Sequence, residues 1–124
     1  IGSMGYCMTG AFVLRTAAAA PDRVGAGASF HGGGLVTTDP DSPHLLIPQL
    51  RGGYLIAVAQ NDDAQEPETK TTLRAAFAAA NTPAEIEVYA ANHGWCVLDS
   101  PSYAQAEADR AWARVLALFS TALA

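Results

Sequence analysis

Apolar residues along the chain change their period several times, and each change marks an element. Ile1 to Tyr6 is a short apolar stretch that predicts the end of a strand. Thr9 to Ala20 is Ala-rich, carries Phe12, Val13 and Leu14, and predicts a helix that stops at Pro21-Asp22. Val24 to Phe30 predicts a strand of small residues, with glycines suited to close packing. His31 to Pro43 reads as a Gly/Asp/Pro loop, and Leu45 to Leu50 as a short helical turn. Gly53 to Gln60 is a continuous apolar run, the pattern of a strand buried on both faces of a parallel sheet. Asn61 to Glu66 is polar and predicts a loop. Pro67, favoured at the first helical position, opens a helix to Ala80. Ala84 to Ala90 alternates and predicts a strand nearer the sheet edge, with Glu85 and Glu87 on its exposed face. Pro101 to Leu123 predicts a last helix, with Trp112, Val115, Leu116, Phe119 and Leu123 as its buried stripe. Strands alternating with helices predict an α/β layered fold with a parallel sheet.

Composition narrows the function classes. The 124 residues are 50% hydrophobic and 15% charged, which fits one globular domain. Seven Lys+Arg stand against twelve Asp+Glu, giving a net charge of -5. Six of the seven are scattered arginines, so no basic face exists for a nucleic-acid backbone. No apolar run approaches the ~20 residues of a membrane span. Ile1-Gly2-Ser3-Met4 lacks the charged start of a signal peptide. Two cysteines, Cys7 and Cys96, are too few for a disulfide scaffold, so a reducing cytoplasm is the default expectation.

Candidate chemistry begins at Gly5-Tyr6-Cys7-Met8-Thr9-Gly10. A strand runs into Gly-x-Cys and then into a helical segment, which is how a nucleophile elbow is written. The helix N-terminus after Cys7 favours its thiolate. A thiol nucleophile needs a base and an acid that orients the base. His93, in Asn92-His93-Gly94-Trp95, follows the last predicted strand, and Asp62 or Asp63 follows the Gly53–Gln60 strand. All fall at the C-terminal ends of parallel strands, where ligand crevices form. Asp62 is preferred to Asp63, and either could instead cap the helix near Pro67. His31-Gly32-Gly33-Gly34 resembles a lipase oxyanion loop but follows the nucleophile, so it is read as a flexible loop bordering the site. Tyr6 and Trp95 are placed along the substrate, Trp112 in the core, His44 in a solvated loop, and Cys96 as a structural, partly buried thiol. The histidines and acids show no metal-ligand spacing.

These segments resemble the dienelactone hydrolase family of the α/β-hydrolase superfamily. The carrying residues are Gly5 to Gly10, the Ala57-Val58-Ala59-Gln60-Asn61-Asp62-Asp63 stretch with Pro67 after it, the Val88 to Trp95 stretch, and the Tyr103 to Ala113 helix. The resemblance implies a three-layer α/β-hydrolase-like fold, with a predominantly parallel sheet flanked by helices. It implies Cys7 as nucleophile, His93 as general base and Asp62 as orienting acid. The backbone N–H of Met8 would be an oxyanion donor, and the substrate a small ester or lactone. No metal or organic cofactor is implied. Residues 1–124 would supply the last four strands of the family's sheet, with the N-terminal half of the domain absent. The Ile1–Tyr6 strand would then expose an apolar edge, and the alternative reading is a non-catalytic fragment that forms a homodimer through it. The family elbow runs Gly-x-Cys-x-Gly-Gly. Thr9 replaces the first of the two final glycines, so altered geometry or packing is expected there.

Overall fold

The computed structural model describes residues 1–124. Four strands, β1 (Gly2–Tyr6), β2 (Ala26–Phe30), β3 (Gly53–Ala59) and β4 (Ala84–Tyr89), form one sheet in the order β1-β2-β3-β4. Every neighbouring pair is parallel. Four α-helices accompany them: α1 (Gly10–Ala19), α2 (Gln60–Gln65), α3 (Glu68–Ala79) and α4 (Gln105–Ala122). Two 3₁₀ turns complete the chain, at Cys7–Thr9 and Pro43–Gln49. The fold is α/β, a four-stranded parallel sheet flanked by helices.

The sheet separates two cores, and β3 shows how. Tyr54 and Ile56 turn to one side and pack with Leu14, Ala17, Ile47, Leu73, Phe77 and Ile86. Leu55, Ala57 and Ala59 turn to the other and pack with Phe30, Tyr89, Trp95, Ala111 and Val115. A run apolar at every position is therefore required, because both faces are covered. Helix α1 buries Gly10, Val13, Leu14 and Ala17, a spacing of three and four that lines up one helical face. Each fully buried Leu or Ile side chain contributes about 1.5–3 kcal/mol over leaving it in water.

Two expectations need correction. The polar segment Asn61–Glu66 lies almost wholly in helix α2. The helix buries no residue, so it carries no apolar period, while Asp62 and Asp63 suit its positive N-terminal end. The expected stripe on α4 is also displaced. Trp112, Leu116 and Leu123 are exposed (52%, 49% and 39%), and the buried positions are Ala111 and Val115. Small side chains let α4 approach the sheet closely, and Trp112 falls on the outer side. No helix is long and apolar enough to cross a membrane.

At the sheet margins, β4 is an edge strand whose Glu85 carboxylate meets the Arg114 guanidinium of α4 at 2.6 Å. β1 is the other edge, with Met4 exposed on it and Ile1 exposed just before it.

Candidate active site

All four strands end on one side, and each hands a residue to the same place. The sequence dictates this, because parallel strands with crossover connections align their C-terminal ends. Tyr6 of β1 is in register with Phe30 of β2. The next residues, Cys7 and His31, therefore emerge side by side. Ala59 of β3 is in register with Tyr89 of β4, so the segments carrying Asp62 and His93 leave the sheet together.

The elbow is a strained turn. Cys7 has φ 53°, a left-handed conformation unusual for a residue with a side chain. Gly5 makes the turn possible, since any Cβ there would collide with the Thr9 carbonyl. Thr9 adopts ordinary helical angles, φ -76° and ψ -9°. Its hydroxyl donates to the Tyr6 carbonyl at 2.7 Å and accepts from the Tyr6 amide at 2.8 Å. The departure from a glycine here thus clamps the last residue of the strand to the first turn after it.

His93 is fixed from two directions. Its Nδ1 lies 2.7 Å from Asp62 Oδ2. A carboxylate only accepts, so Nδ1 carries a proton, and in the neutral ring Nε2 then keeps its lone pair. The His93 backbone N–H donates to Asn61 Oδ1 at 2.8 Å, which ties the loop after β4 to α2. The Gln60 amide donates to the Ala91 carbonyl at 2.9 Å and reinforces the same junction. Asp63, one residue on, pairs with Lys70 Nζ at 2.7 Å and makes no bond to His93.

Cys7 Sγ and one ring nitrogen each from His31 and His93 lie within 4.8 Å of one another. The nearest recorded approach to the sulfur is His31 Nδ1 at 3.4 Å. His31 was expected to border the site from a loop. Instead it is fully buried, and its backbone N–H donates to the Ala57 carbonyl at 2.8 Å. Burial, and then the nearby His93, push its pKa down to about 4. Gly33 N–H reaches the Cys7 carbonyl at 3.4 Å, so the glycine loop is tied to the elbow.

Other expected residues fall as follows. Tyr6 is half-buried and stacks on Phe30, with ring centroids 5.0 Å apart. Met8 follows Cys7 with its side chain exposed, and a first-turn amide has no helical carbonyl to bond. Trp95 does not line a pocket: it is fully buried, stacked on Tyr89 at 5.0 Å and edge-on to His31 at 4.8 Å. Cys96 is partly buried, and burial pushes its thiol up to about 12. His44 is half-buried and bonded to the buried Ser42 hydroxyl, not free in a solvated loop. A small cavity of about 100 Å³ opens beside Asp62, lined by Gly32, Gly34, Val58 and Thr69. A roomier hollow of about 330 Å³, lined by Gly53, Pro83, Ala84 and Leu118, lies at the opposite strand ends and away from this chemistry.

Comparison with known proteins gives a consistent picture. The model of the dienelactone hydrolase family matches residues 1–123. A search of curated protein sequences returns no match. Among solved structures, a candidate dienelactone hydrolase from Klebsiella pneumoniae subsp. pneumoniae is 28% identical with a TM-score of 0.84. That alignment covers 97% of this chain and 51% of the Klebsiella chain. A dienelactone hydrolase-like promiscuous phosphotriesterase from metagenomic libraries is 19% identical, with a TM-score of 0.77 over 98% of this chain and 52% of its own. Dipeptidyl peptidase 4 of Porphyromonas gingivalis is 17% identical, with a TM-score of 0.66 over 90% of this chain and 19% of its own. The last two likenesses are of fold alone. The chain spans about half the length of the first two of these structures.

Proposed function

The chain belongs to the dienelactone hydrolase family, and from that premise we propose that it hydrolyses a small ester or lactone through Cys7, His93 and Asp62. The observation that carries this reading is a sulfur on a strained elbow, within 4.8 Å of a ring nitrogen of a histidine that a carboxylate holds at 2.7 Å. Nucleophile, base and orienting acid are the minimum such chemistry needs, and their chain order is that of α/β hydrolases.

Cys7 Sγ attacks the carbonyl carbon as its proton passes to His93 Nε2. Asp62 steadies the imidazolium without taking the proton. The carbonyl π pair moves to oxygen, where the Met8 N–H supplies a hydrogen bond. Losing one such donor costs about 10²–10³ in rate. The tetrahedral species collapses, the C–O bond breaks, and the leaving alkoxide takes the proton from His93. In a lactone that alkoxide stays attached and the ring opens. A water then gives a proton to His93 and attacks the Cys7 thioester, and the C–S bond breaks. The released thiolate recovers the proton, leaving a carboxylic acid and the free thiol.

A second reading draws on the exposed apolar edge at β1, where Ile1 and Met4 face outward. Pairing of two copies through this edge would give a dimer without turnover. Hydrolysis of p-nitrophenyl acetate by the protein and by its Cys7→Ala variant, with intact mass and gel filtration on the same samples, separates the two. Turnover that disappears in the variant supports the hydrolase. A dimer with no turnover, indifferent to the substitution, overturns it.

A further inference from the structure

We propose that His31 is a dedicated hydrogen-bond donor to the Cys7 sulfur, in the Nδ1–H tautomer, and that it stabilises the thiolate without acting as the base. The proposal deepens the hydrolase reading and rests on Cys7 as its nucleophile.

The assignment comes from the partners of the two ring nitrogens. The Cys96 backbone N–H points at His31 Nε2 at 3.4 Å. An amide can only donate, so Nε2 must hold a lone pair. A neutral imidazole carries one N–H, which therefore sits on Nδ1 and faces Cys7 Sγ at 3.4 Å. Neutrality follows from place. The ring is fully buried, edge-on to Trp95 and 5.4 Å from the His93 ring, so a charge on it would be desolvated and would oppose the charge His93 gains when it takes a proton. The suppressed basicity of His31 points the same way.

The two histidines therefore divide the labour through opposite faces. His93 gives its Nδ1–H to Asp62 and keeps Nε2 to receive a proton. His31 gives its Nδ1–H to sulfur and has no free lone pair, because Nε2 is occupied by the backbone of Cys96. A base at His31 would need the other tautomer, which would set two N–H groups against each other. The titratable groups around the sulfur are Tyr6 from β1, His31 from the end of β2, Asp62 from α2, and His93 and Cys96 from the loop after β4. His31 alone among them is recorded within bonding distance of it. It also stands beside Cys7 through the β1–β2 register, and burial and the Cys96 N–H hold its ring in place. A hydrogen bond to an ion is stronger than one to a neutral group, so the contact tightens when the thiol ionises and favours the attacking form.

Two variants and one spectrum test this. His31→Phe keeps an aromatic ring but removes the donor. His31→Asn keeps an N–H near the Nδ1 position, and Asn tolerates the φ of 39°. Iodoacetamide labelling of Cys7, read on its peptide by mass, should be about tenfold slower in His31→Phe near pH ~7, and close to the parent in His31→Asn. Near pH ~10, where the thiolate forms regardless, the deficit should vanish. Nitrogen-15 spectra of the unmodified protein should show His31 protonated at Nδ1 and bare at Nε2. This reading stands even if His31→Phe does not fold. A proton on Nε2, unchanged labelling in His31→Phe, or a deficit that persists equally at high pH would each overturn the proposal. None of these readouts uses turnover, so failure of the hydrolase reading in the Cys7→Ala assay remains a separate result.

Discussion

Asp62 and Asp63 are consecutive residues of one short helix and serve different partners: Asp62 meets His93 Nδ1 at 2.7 Å, and Asp63 meets Lys70 Nζ at 2.7 Å. Successive helical positions diverge by about 100° around the axis, so adjacent side chains cannot share a target. One carboxylate turns toward the strand ends, and its neighbour turns back to brace α3.

Asp62→Asn should lower kcat for ester hydrolysis by about 10²–10⁴, because an amide no longer selects the Nδ1–H tautomer of His93. Asp63→Asn should leave kcat unchanged and cost about 1 kcal/mol of stability at most, the range of a partly exposed ion pair. Steady-state kinetics of the two variants side by side make the check, and equal losses would count against the division.

Thr9→Val should destabilise the protein by about 1–2 kcal/mol in urea unfolding, since it removes both bonds between the Thr9 hydroxyl and the Tyr6 backbone while keeping the side-chain shape. An unchanged unfolding midpoint would mean that the clamp contributes nothing.

Gly5→Ala should be worse than Thr9→Val, with a loss of about 2 kcal/mol or more, because the added methyl meets backbone that cannot swing aside. The same urea titration, together with Cys7 labelling, tests whether the elbow opens. Full stability in this variant would show that the turn relaxes freely.

Stability should fall on mild acidification, and His31 sets part of the window. Its folded pKa is about 4, against about 6.5 for a free histidine. Between those values the unfolded chain binds a proton that the folded chain refuses, so stability rises with pH there. It is complete above about pH 6.5 and is lost toward pH 4, by an amount on the order of 3 kcal/mol. Urea midpoints at several pH values for the protein and for His31→Asn report this share together with its coupling to Asp62 and His93. Parallel curves would refute it.

Strand positions were legible because burial on two faces leaves a strong mark. The apolar run of β3 and the alternation of β4 translate directly into position in the sheet. Helix α2 left no such mark, since its ends are held by neighbours such as Ala91 and its side chains stay outside the core. Helix α4 misled for the opposite reason. Its buried face is carried by Ala111 and Val115, and hydrophobicity alone favoured the larger Trp112 on the outside. Cys7, Asp62 and His93 could be named from their positions just past strand ends. The same signal marks His31, one residue past Phe30, but the three glycines after it give the segment the composition of a loop. Only the β1–β2 register brings that ring beside the sulfur.

Each residue of the cluster begins where a different strand stops, so the cluster is also a timekeeper for folding. Helices α1 and α3 close through local contacts. Cys7 and His93 follow the two edge strands of the sheet and stand far apart in the sequence, and contacts of such long range form late. During refolding, helical signal should therefore rise before the sulfur acquires its native reactivity. The moment at which Cys7 begins to react like the native thiol marks the docking of the last strand.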